Sequence, residues 1–134
     1  MNILLVEDDI IDAMTVKRTS QELGLPHTIV HVNNGKEALD YLNKGGDFPD
    51  VILLDINMPV MDGIEFLENK NKHEEMLMIP TIVLTTSNAE TDRISCYKQH
   101  AAGYMLKPVE YKEFKDLYQV INNYWSKCER PIYK

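Results

Sequence analysis

The residues of this sequence that could take part in chemistry each follow a short apolar run. They are Glu7, Asp8, Asp9, Asp55, Thr85 and Lys107. Two carboxylates about 4 Å apart repel each other by roughly 4 kcal/mol at an effective dielectric constant near 20. If the fold brings these acids together, a hard cation such as Mg²⁺, which prefers oxygen ligands, would relieve that repulsion. The alternative is that the acids only cap the helices that follow them.

The apolar runs have the length and composition of β-strands. Five segments have this character: residues 3–6, 28–32, 51–54, 81–84 and 102–106. The first, third and fourth are almost continuously aliphatic, as is typical of strands buried on both faces. The second run alternates more, which favours a place at the edge of the sheet, and the fifth is the weakest.

Amphipathic patterns between these runs predict five helices. Ser87 and Glu90 have the spacing of a capping box and predict the start of the fourth helix. The last helix is the most periodic, with apolar residues three or four positions apart. These residues are Phe114, Leu117, Tyr118, Ile121, Trp125 and Cys128.

The strict alternation of strands and helices predicts an α/β fold with a doubly wound, five-stranded parallel sheet. The expected strand order is 2-1-3-4-5, the flavodoxin-like arrangement. Ligands bind such sheets beyond the carboxyl ends of the strands, beside strand 1. The fold therefore predicts that the polar residues that follow the strands lie together at one rim.

Length and composition predict a single domain over residues 1–134, with a core at about 2–125 and a helix extension and tail at about 126–134. The net charge of −7 argues against nucleic-acid binding. The sequence shows no targeting segment and no membrane-spanning run, so we expect a cytoplasmic protein. The two cysteines form no Cys-x-x-Cys pattern, and the four histidines show no metal-ligand spacing.

The sequence resembles the response regulator receiver family of two-component signalling. Four stretches carry the resemblance: Leu-Leu-Val-Glu-Asp-Asp at 4–9, Asp-Ile-Asn-Met-Pro-Val-Met-Asp-Gly at 55–63, Val-Leu-Thr-Thr-Ser at 83–87 and Tyr-Met-Leu-Lys-Pro at 104–108. The resemblance extends from residue 2 to about residue 125. The Leu-Thr-Thr-Ser run and the Trp-bearing terminal helix are similar to the small receivers that serve phytochrome-type histidine kinases.

The resemblance implies an acidic site that requires Mg²⁺. Asp55 matches the phosphoacceptor, a carboxylate that attacks phosphorus and forms an acyl phosphate. The resemblance also implies that Asp9 binds the metal directly and that Asp8 contributes largely through water. Asp55 itself and the main-chain carbonyl of Asn57 complete the expected ligand set.

Three further residues match the switching machinery of the family. Lys107 matches the lysine that pairs with the acceptor aspartate and then with the phosphoryl group, and family members usually have a cis peptide bond before Pro108. Thr85 matches the switch hydroxyl. Tyr104 matches the aromatic residue that moves inward with it. Pro59 and Gly63 fit the loop after Asp55.

The resemblance implies a stand-alone signalling switch and not an enzyme, although the protein assists its own phosphorylation and dephosphorylation. A histidine kinase or phosphotransfer protein would donate the phosphoryl group. We also expect a homodimer through helix 4, strand 5 and helix 5, with Tyr124, Trp125 and Cys128 in an exposed patch.

Three alternatives are weaker on the sequence. An aspartyl phosphohydrolase would carry a second Asp at the position of Asn57. A pseudo-receiver that acts only as a binding module would lack one of the acidic, acceptor or lysine residues. A flavin-binding protein of the same fold would not place acids in its first βα loop, where they repel phosphate.

Overall fold

The computed structural model describes residues 1–132, which form one parallel β-sheet with helices on both faces. The five strands are β1 (Asn2–Val6), β2 (Thr28–Val32), β3 (Val51–Leu54), β4 (Thr81–Thr85) and β5 (Gly103–Leu106). The five helices are α1 (Ile10–Glu22), α2 (Gly35–Asn43), α3 (Gly63–Lys70), α4 (Glu90–Lys98) and α5 (Tyr111–Trp125). A short 3₁₀ helix at Met76–Met78 leads into β4.

The sheet has the strand order β2-β1-β3-β4-β5, and all of its pairings are parallel. This confirms the predicted fold class and the place of β2 at an edge. Strands β3 and β4 are buried along their whole length, as their continuous aliphatic sequences predict. Consecutive residues of β1 supply opposite faces of the sheet, so Leu4 and Leu5 enter two separate cores.

Helices α2, α3 and α4 cover one face of the sheet, and α1 and α5 cover the other. Phe66 of α3 and Cys96 of α4 are fully buried in the first core. Phe114 and Tyr118 of α5 fill the second core, where their rings stack. None of the helices in residues 1–132 has the length and apolar character needed to cross a membrane.

The fourth and fifth helices differ in detail from the sequence-based expectation. Ser87 does not cap α4, because its hydroxyl donates to Asp92 Oδ2 (2.6 Å), and the helix begins at Glu90 after an N-cap residue, Ala89, with no side-chain cap. The capping-box prediction is therefore wrong. Helix α5 ends at Trp125, so Cys128 lies beyond the helix.

The segment after α5 turns back towards the amino ends of the strands. Arg130 donates to the carbonyl oxygens of Trp125 and Asp50. Trp125 packs against the second core instead of standing in an exposed patch. The exposed apolar residue at the end of α5 is Tyr124, whose exposed fraction is 62%.

Candidate functional site

The carboxyl ends of β1, β3, β4 and β5 form a rim that gathers the predicted polar residues. We call this the acidic rim and define it by four of these residues, Glu7, Asp8, Asp55 and Lys107, together with Asp12 of α1. Main-chain hydrogen bonds fix its position, because Asp55 N donates to the carbonyl oxygen of Val6, the last residue of β1, at 3.0 Å. The parallel sheet thus positions the polar ends of neighbouring strands side by side.

Asp55 lies at the end of β3 with an exposed fraction of 8%. Its Oδ1 accepts a hydrogen bond from the main-chain N–H of Ile56 at 2.8 Å, which fixes the orientation of the carboxylate. The second oxygen, Oδ2, lies 3.7 Å from Lys107 Nζ. Asp55 is therefore a nearly buried carboxylate that keeps one oxygen largely uncommitted.

The backbone of the loop after Asp55 passes very close to the start of α3. Gly63 N donates to the carbonyl oxygen of Ile56 at 3.0 Å. A Cβ atom at Gly63 would lie 2.6 Å from the carbonyl oxygen of Asp55 and 2.7 Å from Ile56 Cα. Only glycine permits this approach, so Gly63, the last residue of the motif at 55–63, maintains the geometry of the loop after Asp55.

Three carboxylates of the acidic rim can converge on one cation. One oxygen each of Glu7, Asp8 and Asp55 lies within 4.8 Å of the other two. Glu7 and Asp55 are buried and Asp8 is exposed. Carboxylates with one open, solvent-facing side suit a hard divalent ion that keeps some of its waters, so this donor set fits Mg²⁺ or a similar cation.

The three consecutive acids Glu7, Asp8 and Asp9 have two different roles, and these roles differ from the expected ones. Asp9 is the N-cap of α1, and its Oδ1 accepts from Ile11 N at 2.9 Å and from Asp12 N at 3.1 Å. The residue beside Asp8 and Asp55 is Glu7, whose exposed fraction is 3%. Asp is favoured at the N-cap position, but Asp8 and Asp9 share that preference, so the start of α1 at Ile10 is what separates Asp9 from Asp8.

Electrostatics at the acidic rim favours a bound cation. Burial raises the pKa of the Glu7 carboxyl group well above its ordinary value; hydrogen bonding and charge from Lys107 oppose this, and the charge of Asp55 adds to it. Burial alone would lower the pKa of Lys107, but hydrogen bonds to Asp12 and Glu7 outweigh it and raise the pKa. One ammonium group thus faces several carboxylates.

A histidine on β2 also supports the rim. His31 Nε2 lies 2.7 Å from the main-chain carbonyl oxygen of Glu7, to which it donates. Glu7 N in turn donates to the carbonyl oxygen of Val32. Edge strand β2 therefore holds the backbone that presents Glu7, a contact that no spacing in the sequence indicated.

Thr85 and Tyr104 are linked through the main chain of one residue, Ser87. Thr85 is fully buried, and its Oγ1 accepts from Ser87 N at 3.2 Å. The Tyr104 hydroxyl donates to the carbonyl oxygen of the same Ser87 at 2.9 Å. A movement of the Thr85 hydroxyl would therefore disturb the loop that also holds Tyr104.

The other expected features have separate outcomes. The residues from 1 to 132 include no cis peptide bond, so the cis bond expected between Lys107 and Pro108 is wrong; the bond is trans. Asn57 is exposed in the loop after Asp55, and its carbonyl stays a predicted ligand. Asp12 was not singled out in the sequence, although its Oδ2 lies 2.7 Å from Lys107 Nζ.

The chain is similar to known proteins of one family. Residues 3–119 match the response regulator receiver domain. The chain is 33% identical over 128 residues to the response regulator Rcp1 of Synechocystis, and the match covers 92% of this chain and 87% of that one. It is 38% identical over 127 residues to the probable methanogenesis regulatory protein FilR2 of Methanothrix harundinacea, covering 92% and 82%.

Among solved structures, the phosphorylated cyanobacterial phytochrome response regulator RcpA superposes with a TM-score of 0.90 at 31% identity, with 98% of each chain covered. The chain therefore belongs to the response regulator receiver family, whose members are signalling proteins of two-component systems. It is similar throughout to receivers described as phytochrome response regulators.

Proposed function

We propose that this protein is a receiver switch that is phosphorylated on Asp55. The observation that carries the proposal is the Asp55 carboxylate, which is oriented by the Ile56 N–H, belongs to the acidic set that could hold a metal and lies 3.7 Å from Lys107 Nζ. A carboxylate with a free oxygen can attack phosphorus and form an acyl phosphate. The Asp55 oxygen would gain the phosphoryl group, and the donor's leaving group would depart with the bonding electrons.

We propose Glu7, Asp8 and Asp55 as the side chains that hold the metal, with the Asn57 carbonyl as a further ligand. Glu7 takes the place expected for Asp9 in this set, because the Asp9 carboxylate caps α1. Mg²⁺ bound there would offset the charge on the phosphoryl oxygens and help to align the donor. The similarity to a manganese-bound structure of Rcp1, at 31% identity and a TM-score of 0.88, supports the binding of a divalent metal by this protein.

The hydrogen bonds of Ser87 provide a route from phosphorylation to a change of surface. A phosphoryl group on Asp55 offers new acceptors for the Thr85 O–H and the Lys107 ammonium. If Thr85 turns towards that group, Ser87 N loses its present acceptor. The loop at 86–89 would then move, and Tyr104 would lose or shift its hydrogen bond to the Ser87 carbonyl. The population would shift towards a second arrangement of β5 and α4.

We propose that the donor is a sensor histidine kinase or a phosphotransfer protein in the cytoplasm. The similarity to the phytochrome response regulator RcpA supports a kinase of the phytochrome type. The protein would assist its own phosphorylation and dephosphorylation without being an enzyme with a separate substrate. The alternative of a phosphohydrolase has no support in the comparisons, which give receiver domains.

We further propose a two-fold dimer through α4, β5 and α5. Exposed apolar side chains lie on all three elements: Ile94, Tyr97, Leu106, Val120 and Tyr124. Since Trp125 packs inward, Tyr124→Ala is the substitution that should weaken the dimer. Sedimentation at micromolar concentration, with and without beryllofluoride, tests this. A monomer under both conditions would end the proposal.

The main proposal is tested by incubating the protein with acetyl phosphate and Mg²⁺. Intact-protein mass spectrometry should show one added phosphoryl group in the wild type and none in Asp55→Asn. A matched control is Asp50→Asn, because Asp50 lies at the opposite end of β3 and should leave labelling intact. Equal labelling of wild type and Asp55→Asn would contradict the assignment.

A further inference from the structure

The ammonium group of Lys107 lies near three carboxylates, at unequal distances. Its Nζ lies 2.5 Å from Glu7 Oε1 and 2.7 Å from Asp12 Oδ2, which are hydrogen bonds. The distance to Asp55 Oδ2 is 3.7 Å, which is an ion pair without a hydrogen bond. Lys107 is thus bound more closely to Asp12 than to the acceptor with which it is expected to pair.

The backbone of Asp12 is fixed at the start of α1. Asp12 N donates to Oδ1 of the N-cap residue Asp9 at 3.1 Å, and the N-terminal end of a helix favours a negative charge. From there its side chain reaches across to Lys107, after β5. The exposed fraction of the Asp12 side chain is 39%, against 11% for Lys107.

Asp12 contributes charge to the acidic rim but no oxygen to the group of carboxylates that could hold a metal. That group consists of Glu7, Asp8 and Asp55. A cation bound among those three residues would compete with Lys107 for Glu7 and Asp55 but would leave the contact to Asp12 in place. The contact between Asp12 and Lys107 is therefore the one that persists when the metal set is occupied.

We propose that Asp12 is a positioning residue that restrains Lys107 in the unphosphorylated protein and so opposes phosphorylation of Asp55. The inference rests on the proposed function of Asp55 and assigns a regulatory role to a residue outside the receiver motifs. A phosphoryl group on Asp55 must compete with Asp12 for the position of the Lys107 ammonium, whose hydrogen bonds go to Glu7 and Asp12. The Asp12 charge also repels an approaching anionic donor.

The proposal predicts different effects of removing the Asp12 charge on the binding of two ligands. Without the Asp12 charge, Lys107 is free to bind beryllofluoride on Asp55, so beryllofluoride should bind more tightly. The same freed Lys107 would neutralise Glu7 and Asp55 more fully, so Mg²⁺ alone should bind equally or more weakly. A loss of structure at the rim would weaken the binding of both beryllofluoride and Mg²⁺. A general gain of stability would not change the two affinities in different ways.

The test compares Asp12→Asn, Asp12→Glu and Glu110→Gln with the wild type. Asp12→Asn keeps the shape of the side chain and removes its charge, and Asp12→Glu keeps the charge. Glu110→Gln removes an equal charge from an exposed position just before α5, where no ion pair is found among residues 1–132. ¹⁹F NMR titration with beryllofluoride at saturating Mg²⁺ gives Kd for each protein.

We expect Asp12→Asn to lower the beryllofluoride Kd about three- to tenfold, the range of a partly exposed ion pair. Asp12→Glu and Glu110→Gln should remain within about twofold of the wild type. An unchanged Kd in Asp12→Asn would overturn the proposal. The same gain in Glu110→Gln would also overturn it, because a general charge effect would then explain the result.

A second measurement does not depend on phosphorylation. In metal-free protein, urea unfolding of the wild type, Asp12→Asn, Lys107→Gln and the double variant forms a double-mutant cycle. We expect non-additive midpoints, with Asp12→Asn more favourable when Lys107 is already replaced. If the wild type binds no beryllofluoride, the proposed function fails and this cycle still decides the contact. Additive midpoints would show that Asp12 does not hold Lys107.

Discussion

The two ends of the parallel sheet treat buried charge differently. At the amino ends of the strands, opposite the acidic rim, Lys70 of α3 has an exposed fraction of 2%. Its Nζ donates to the carbonyl oxygen of Met76 at 2.9 Å. Asp50 accepts from Asn2 N at 2.8 Å, and its carbonyl oxygen accepts from Arg130. At the acidic rim, Lys107 is shared by Glu7, Asp12 and Asp55.

The difference shows which end is built for stability and which for change. Lys70, Asp50 and Arg130, at the amino ends of the strands, each have partners that fix one arrangement. The acidic rim has more carboxylates than cations, and its lysine can move between acceptors. Such a rim is costly in the free protein, because like charges raise each other's energy. A cation and a phosphoryl group both change that balance, so the rim can respond to them.

The largest expected effect would separate Glu7 from Asp9. Glu7→Gln should weaken Mg²⁺ binding about 10- to 100-fold, because it removes a buried carboxylate of the metal set. Asp9→Asn should change the affinity by less than about threefold, since Asn still caps α1 and the lost charge is not a ligand. Isothermal titration calorimetry measures both. A larger loss in Asp9→Asn would restore the original assignment of Asp9.

The next prediction concerns the response of the rim. Thr85→Ala should still accept beryllofluoride, because Asp55 and the metal set are intact. It should abolish most of the beryllofluoride-induced shift of the Ser87 and Tyr104 amides, since Ser87 N has already lost its acceptor. ¹⁵N NMR spectra record these shifts. Thr86→Ala, at the exposed neighbouring position, is the control and should respond as the wild type does. A full response in Thr85→Ala would remove the proposed link.

The buried charge of Lys70, at the amino ends of the strands, should make the stability of the protein depend on pH. Burial lowers the pKa of Lys70 from 10.5 to about 8, so between these values the unfolded chain binds more protons than the folded one. Stability from this group therefore rises as pH increases from about 8 to 10.5, by about 1–3 kcal/mol. Urea unfolding of Lys70→Met should lack this rise, and Lys72→Met, at an exposed position, should retain it. Identical slopes in all three proteins would contradict this prediction.

The sequence was sufficient for the fold because the strands and helices have distinct local patterns. The aliphatic runs at 51–54 and 81–84 indicated buried strands in an alternating chain, and the strand order followed from the flavodoxin-like arrangement of such sheets. The positions of Asp55, Thr85 and Lys107 followed in turn, because each comes directly after a predicted strand. These predictions needed no side-chain geometry.

The remaining details depend on where individual side chains point. Glu7, Asp8 and Asp9 are adjacent acids, and only the start of α1 at Ile10 decides which of them caps the helix. The role of Asp12 depends on its contact with Lys107, which lies 95 positions away in the sequence, so only the structure shows that the two side chains meet. Ser87 matched a capping box, but its hydroxyl found a different partner in Asp92.

The central claim is that Asp55 is the phosphorylated residue, and the position of the acyl phosphate tests it most directly. Protein treated with acetyl phosphate and Mg²⁺ is reduced with borohydride, which converts an aspartyl phosphate to homoserine, and the peptides are then sequenced by mass spectrometry. The account predicts homoserine at position 55 and unmodified Asp8, Asp9 and Asp12. Homoserine at any of those three positions, with Asp55 unmodified, would contradict it.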